Sequence, residues 1–269
     1  MASDERSMPF IKNLASSERK VRTEALTTLR TFLTASTTTR TLSPLDHLKL
    51  WKGLFYALWM ADRPIPQQNL CAELASLVAI LPDDAVVPFL RAFWETLSRQ
   101  WTSIDVLRME KFMLLVRRVL GASFVWAREN KVIKTKSKSK DSVKETRPEA
   151  MLALLREWPI EETGDLSKVS VGLRLHVLDI WVDEVERAGM TGEDATEDDA
   201  KFLEGVKSVV EKQIKSPSKP CRARAKDGLA DERLPWNEKT AEDEEMGEDD
   251  DEEETKKAGE KDGWGGFDD

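Results

Sequence analysis

Two cysteines and two histidines are all that this chain of 269 residues holds of either type. Cys71 lies in an apolar helical pattern and Cys221 in a basic stretch read as a loop, a placement that supports neither a disulfide framework nor a zinc knuckle. Both are expected to be free thiols. With only His47 and His176 available, histidine catalysis and zinc binding are poor readings. Gly-x-x-x-x-Gly-Lys, Gly-x-Ser-x-Gly, His-Glu-x-x-His and Cys-x-x-Cys are all absent. The carboxylate pairs Asp83-Asp84 and Asp183-Glu184 read as helix-start or solvated residues. No catalytic, cofactor-binding or metal residue is nominated, and the chain is read as a non-enzyme.

Long apolar runs are missing too. No stretch approaches the ~20 consecutive apolar residues of a membrane-spanning helix. Met1 to Arg6 has no basic segment leading into an apolar one. A soluble, intracellular protein without a membrane partner is expected. Strand signals are equally scarce: Asp227-Gly228 and Asp262-Gly263 are the only Asp-Gly pairs, Asn-Gly does not occur, and neither pair is flanked by alternating apolar residues.

What the sequence has is helical period. After Ser17, read as an N-cap, Val21, Ala25, Leu26, Leu29, Phe32 and Leu33 recur on one face. Ser43-Pro44 is a cap and first-turn pair, and Leu48, Trp51, Leu54, Phe55 and Leu58 follow on one side of a helix that must end before Pro64. Further helices are predicted at about 66–81, 84–100, 103–130, 147–158, 170–188 and 196–214. Their starts fall roughly 20 to 25 residues apart, the spacing of antiparallel helix pairs stacked in a HEAT-like array. The fold class is all-α, stacked antiparallel helix pairs in a helical solenoid; because no residue-level repeat is visible, an irregular bundle stays open as the alternative.

The net charge of -9 conceals its distribution. From Asn237 to Asp269 sixteen acidic residues stand against four basic ones, leaving 1–236 with an excess of three positive charges. The acidic C-terminal tail is expected to be disordered, since self-repulsion and few apolar groups cannot offset the entropy of ordering. It either competes for the chain's basic segments or serves simply to solubilise. Within it, Gly263-Trp264-Gly265-Gly266-Phe267 is either a docking peptide for a partner, through Trp264 and Phe267, or plain tail. The helical-repeat domain is assigned to 1–236 and the tail to 237–269.

Two basic segments interrupt the helices. In 128–147 eight basic residues face three acids, and Lys131, Lys134, Lys136, Lys138 and Lys140 mark an exposed loop. In 212–226 Lys215, Lys219, Arg222, Arg224 and Lys226 occur with no acid and with Pro217 and Pro220, which reads as a loop or extended arm. Both can neutralise phosphate and bind RNA with steep salt dependence and little specificity. Helix projection puts Lys49, Lys52 and Tyr56 opposite the apolar arc of the Pro44 helix with Trp59 at the rim, either a cation-aromatic contact surface or an ordinary solvated face. The Ser103 helix is apolar almost all round through Ile104, Leu107, Phe112, Leu115, Val116, Val119 and Leu120, with Arg108, Lys111 and Arg118 in one quadrant. Those cations need ion pairs, with Asp62 and Glu95 as candidates, or else contact RNA or a partner.

These same two helices carry a family likeness. Leu50-Trp51-Lys52-Gly53-Leu54-Phe55-Tyr56-Ala57-Leu58-Trp59-Met60-Ala61-Asp62-Arg63-Pro64, and Ile104-Asp105-Val106-Leu107-Arg108-Met109-Glu110-Lys111-Phe112 running into Leu114-Leu115-Val116-Arg117-Arg118, resemble the ribosomal RNA-processing protein 1 family of nucleolar factors. Phe10 to Leu33 is similar to that family's first helices, and Asp231-Glu232-Arg233-Leu234-Pro235-Trp236 extends the likeness, with Trp236 a candidate docking residue. The resemblance implies a non-catalytic, cofactor-free assembly factor in the nucleus and nucleolus. It implies action on precursors of the large ribosomal subunit during internal-spacer processing. The implied partners are precursor ribosomal RNA, other assembly factors including Brix-domain and β-propeller proteins, and ribosomal proteins, with the chain a monomer within a large particle. A nuclear helical adaptor that recruits one partner and never touches RNA is the competing reading.

Overall fold

Five helices begin where a side chain supplies a partner that the first turn lacks. Ser43 accepts from the Asp46 amide while Asp46 accepts from the Ser43 amide, with Pro44 at the first helical position. Thr146 with Glu149 and Thr196 with Asp199 repeat the arrangement. Asp105 and Ser170 cap through their side chains alone. Ser17 does not cap: Glu18 holds that position, Ser16 Oγ accepts its amide at 3.2 Å, and the Ser17 carbonyl accepts from Arg22 instead.

The computed structural model describes residues 10–35, 42–133 and 145–237. They form α1 (Ile11–Leu14), α2 (Arg19–Thr34), α3 (Pro44–Trp59), α4 (Pro64–Ile80), α5 (Asp83–Gln100), α6 (Val106–Arg128), α7 (Arg147–Glu157), α8 (Val171–Arg187), α9 (Glu197–Lys212) and α10 (Lys219–Leu229). No strand occurs among the described residues beyond one isolated bridge between Val132 and Thr146.

Contacts sort the helices into two layers. Ring centre to ring centre, His47 of α3 lies 6.5 Å from Phe89 of α5 and Trp51 lies 4.7 Å from Phe93. Asp83 and Arg91 of α5 pair with Arg147 and Glu157 at the start and end of α7. Residue numbers rise together along each pair of neighbours, so these helices run parallel. In the second layer α6 meets α8 through Met113–His176 and Arg117–Asp183, and α8 meets α10 through Asp179–Arg224. Arg30 of α2 reaches Ser76 of α4 at 3.0 Å. Odd-numbered helices therefore form one layer and even-numbered helices the other, joined as antiparallel pairs. This is the solenoid that the helix spacing predicts.

The core follows from the apolar faces. Trp51, Phe89, Phe93, Trp94, Phe112, Phe124 and Trp181 are fully enclosed, and the Trp51 indole donates to the Phe89 carbonyl at 2.8 Å. Gly53 lets α1 approach α3 closely, since a Cβ there would stand 3.2 Å from Leu14 Cδ1. Both cysteines are buried free thiols, and burial pushes the Cys71 thiol up to about 12.

Two further expectations are corrected. Residues 212–226 are not an extended arm: α9 runs to Lys212, a short 3-10 turn covers Gln213–Lys215, and Lys219–Leu229 is helix with Cys221 and Ala225 buried. Pro220 stands in the first turn, where its missing N–H is harmless. Leu107 is not core but 93% exposed, next to Val106 at 87%. The tail beyond Asn237 and the loop interior 134–144 lie outside the described residues.

Replacing Trp51 with Ala should destabilise the fold by about 3–5 kcal/mol, and Trp51→Phe by less, read from chemical denaturation midpoints. A pH dependence follows from the two histidines. Burial, the largest influence on each, holds both imidazoles below their ordinary 6.5. The unfolded chain then binds protons first, so stability is complete above pH 6.5 and declines as pH falls through the depressed range. Glu184 works in the opposite sense, since burial raises its carboxyl above 4.5. Thermal midpoints between pH 7.5 and 5.5 should fall, and a His47→Gln/His176→Gln variant should flatten that fall (roughly these pH bounds bracket the histidine range).

Candidate nucleic-acid interface

The layered stack has two rims. Along the first, odd helices end and even ones begin, and successive links touch: Lys111 Nζ donates to the carbonyls of Trp59 and Ala61 at 2.8 Å each, Ser98 Oγ to that of Lys168 at 2.6 Å, and Gln213 Nε2 to that of Glu161 at 2.8 Å. Along the second, Arg147 pairs with Asp83 and Glu129, and Arg128 reaches the Ala188 carbonyl and Asp199.

The two basic segments leave from opposite rims. Lys131 sits at the second rim, exposed and paired with Glu129, where the Ile133 amide donates to the Glu145 carbonyl at 2.8 Å and closes the loop's base. Acidic groups surround this exit, with Asn130 donating to Asp198 at 3.0 Å. Lys134, Lys136, Lys138 and Lys140 are outside the described residues. Lys215 and Lys219 belong to the first rim, and Arg222, Arg224 and Lys226 follow on α10. Arg224 pairs with Asp179 at 3.0 Å, and Arg222 donates to the Ser216 and Pro217 carbonyls at 2.7 and 3.1 Å. Lys215, Lys219 and Lys226 are exposed and have no carboxylate partner among the described residues.

On α3, Lys52 and Tyr56 are exposed while Lys49 and Trp59 are half-buried. The Arg108 guanidinium lies 4.7 Å over the Trp59 ring and also pairs with Asp105. Lys111 is buried and bonds the two carbonyls that close α3, rather than a carboxylate; Asp62 attracts it from a distance, and Glu95 pairs with Arg99. Burial, with Arg108 acting in the same direction, holds the Lys111 ammonium below its ordinary range. Arg118 is exposed within the field of Glu184.

Trp236 is turned inward. Its indole donates to the Leu229 carbonyl at 3.0 Å, Lys207 lies 4.7 Å over its ring, and Arg233 beside it binds Asp231, Asp183 and Glu186. Burial works against ionisation of Asp183, yet hydrogen bonds from Arg117 and Arg233 hold its carboxyl below the usual range. Capping of indoles by cations recurs: Arg147 stands 5.2 Å over Trp126 and Lys168 4.7 Å over Trp158. Trp264 and Phe267 are outside the described residues.

Two groups escaped the sequence reading. Arg174, with no exposed surface, donates to the Asp165 carbonyl at 2.8 Å and lies 3.4 Å from Glu161 and 3.5 Å from Gln213. Its place between Leu173 and Val177 on an apolar face is the only signal. Ile65, 71% exposed, joins Val106 and Leu107 as aliphatic side chains at the first rim, and a periodicity count assigns such helix-end residues to the core by default. No group of three or more His, Cys, Asp or Glu side chains among the described residues is placed to hold a metal.

A family model described as "Nucleolar protein, Nop52" matches residues 5–264. The chain belongs to the Nop52 family. Three of its relatives are ribosomal RNA processing protein 1 homolog B of Homo sapiens, 34% identical over 183 residues, homolog A of Mus musculus, 35% over 181, and homolog A of Homo sapiens, 34% over 198. The alignments take in 67%, 66% and 72% of this chain but 22%, 34% and 39% of those proteins. This Nop52-family chain thus spans well under half the length of the curated relatives it matches. The nucleolar family agrees with the resemblance carried by α3 and α6.

Within this Nop52-family fold, Lys111 is a closing group for α3. Lys111→Met should lower stability by about 1–3 kcal/mol, because two carbonyls lose their donor, while any RNA affinity of the folded protein stays unchanged. Denaturation midpoints beside RNA titrations check both halves.

Proposed function

We propose that this chain is a non-catalytic ribosome biogenesis factor that works in nucleolar ribosomal RNA processing. It acts as a scaffold on early precursors of the large ribosomal subunit. The stacked helices give a rigid frame for docking proteins, and the basic segments hold precursor RNA by its phosphates. The observation that carries the RNA half is the set Lys215, Lys219 and Lys226, without carboxylate partners at the first rim and along α10, set apart from the many cations engaged inside the fold. The relatives' names support the processing role. Partner classes follow the family resemblance: Brix-domain and β-propeller assembly factors and ribosomal proteins, with the chain present as one copy. Exposed Ile65, Val106 and Leu107 supply apolar contacts of the kind such docking uses.

In the full-length protein, changing Lys134, Lys136, Lys138 and Lys140 to Glu should weaken crosslinking to precursor RNA several-fold without lowering the thermal midpoint. Affinity purification of the tagged chain should bring down large-subunit precursor RNA with assembly factors. Unaltered crosslinking in the variant removes the loop from the RNA contact. Recovery of a single protein and no precursor RNA replaces the scaffold by an adaptor.

A further inference from the structure

We infer that the α10 surface binds the phosphate backbone of double-stranded RNA, without stacking on bases and without reading sequence. The inference rests on the RNA contact proposed above and names the form of RNA that this one surface takes.

Cys221 and Ala225 face inward on α10, and Gly228 packs against Trp181 of α8. At 100° per residue, Lys219 and Lys226 fall about 20° apart on the opposite side, about 10 Å from each other along the axis. Ala223 between them leaves the ridge low. Lys215 and Lys212 continue it across the short turn onto the end of α9. Arg224 is held to one side by Asp179 and Arg222 by two carbonyls, so the ridge is built of lysines, which act on phosphate as point charges. The exposed carboxylates nearby are Glu211 on α9, Glu204, which pairs with Lys207, and Asp227 on α10, which falls about 80–100° round the helix from the two lysines and bounds the ridge on that side.

The aromatic inventory decides between paired and unpaired RNA. Proteins that hold single strands offset the entropy of ordering them by stacking bases on aromatic rings. Among the described residues the only exposed aromatic is Tyr56, on α3, several helices from α10. The nearest candidate, Trp236, has its N–H on the Leu229 carbonyl and its ring under Lys207. A row of ammonium groups along one helix, with no stacking platform beside it among the described residues, fits a backbone that is already ordered, and A-form RNA offers one, with phosphates and 2′-hydroxyls lining a wide, shallow groove.

The test is anisotropy of labelled RNA with the full-length protein over a salt series. The probes are two duplexes of unrelated sequence and the single strands that compose them. Both duplexes should bind alike and more tightly than their strands. Lys219→Glu/Lys226→Glu should weaken duplex binding roughly 10- to 100-fold and make the salt slope shallower by about two. Tyr56→Ala should change neither. Thermal midpoints equal to the parent's establish that the double variant is folded, as the exposure of both lysines requires. Preference for single strands, dependence on sequence, or indifference of duplex binding to the two lysines overturns the inference and leaves the broader RNA reading standing. Failure to bind either form removes both.

Discussion

Carbonyls at the ends of helices are the constraint on which this stack depends. A helix leaves its last carbonyls without partners, and a solenoid crowds those ends together along its rims, where water has limited access. Here cations from a neighbouring helix pair, before or after, meet them. Arg22 of α2 and Lys111 of α6 close α3, Arg128 of α6 closes α8 at the Ala188 carbonyl, and Arg147 of α7 reaches the Trp126 carbonyl near the end of α6. A carbonyl cluster at a C-terminus favours a cation, which lightens the desolvation that a buried charge carries. Each such bond also fixes one pair relative to its neighbour, so the groups that satisfy the ends set the stacking.

Cations consequently fall into two populations. One lies inside the frame, on carbonyls, on the Asp183–Glu184–Glu186 cluster through Arg117, Arg187 and Arg233, or over the rings of Trp59, Trp126, Trp158 and Trp236. The other is exposed without a carboxylate partner, as Lys215, Lys219 and Lys226 are at the first rim and on α10 and Lys52 is on α3. Composition alone mixes them, since both contribute equally to a count of Lys and Arg. Only the frame tells which positive charges remain for a polyanion, and the proposed role in ribosomal RNA processing relies on that remainder.

Much of the fold was legible because its signals are local. Ser43-Pro44 announces a helix start through its own chemistry, and the Leu, Phe and Trp spacing of α3 and α6 marks the buried faces. α10 escaped because its inner face is made of Cys221, Ala225 and Gly228, too small to register as an apolar stripe beside six basic residues. Lys111 illustrates a different limit. That a cation on an apolar helix needs a partner can be read from residues 104–120, but the partner is a pair of main-chain carbonyls, which every residue possesses and which no sequence pattern flags. Leu107 reads as core because periodicity places residues on a face and cannot say that the neighbouring helix stops short of it. The division of the basic segments between opposite rims was equally hidden, since it depends on how many helices separate them.

The parallel run of helices within each layer has an electrical corollary. Every even helix starts on the rim where the odd helix before it ends, so positive and negative ends of the macrodipoles alternate along that edge and largely cancel. The potential outside the molecule is thereby left to side chains. A frame that contributes little field of its own can keep its packing while surface charges are exchanged, and the same architecture can then present a polyanion-binding edge or a neutral docking face according to a few exposed residues.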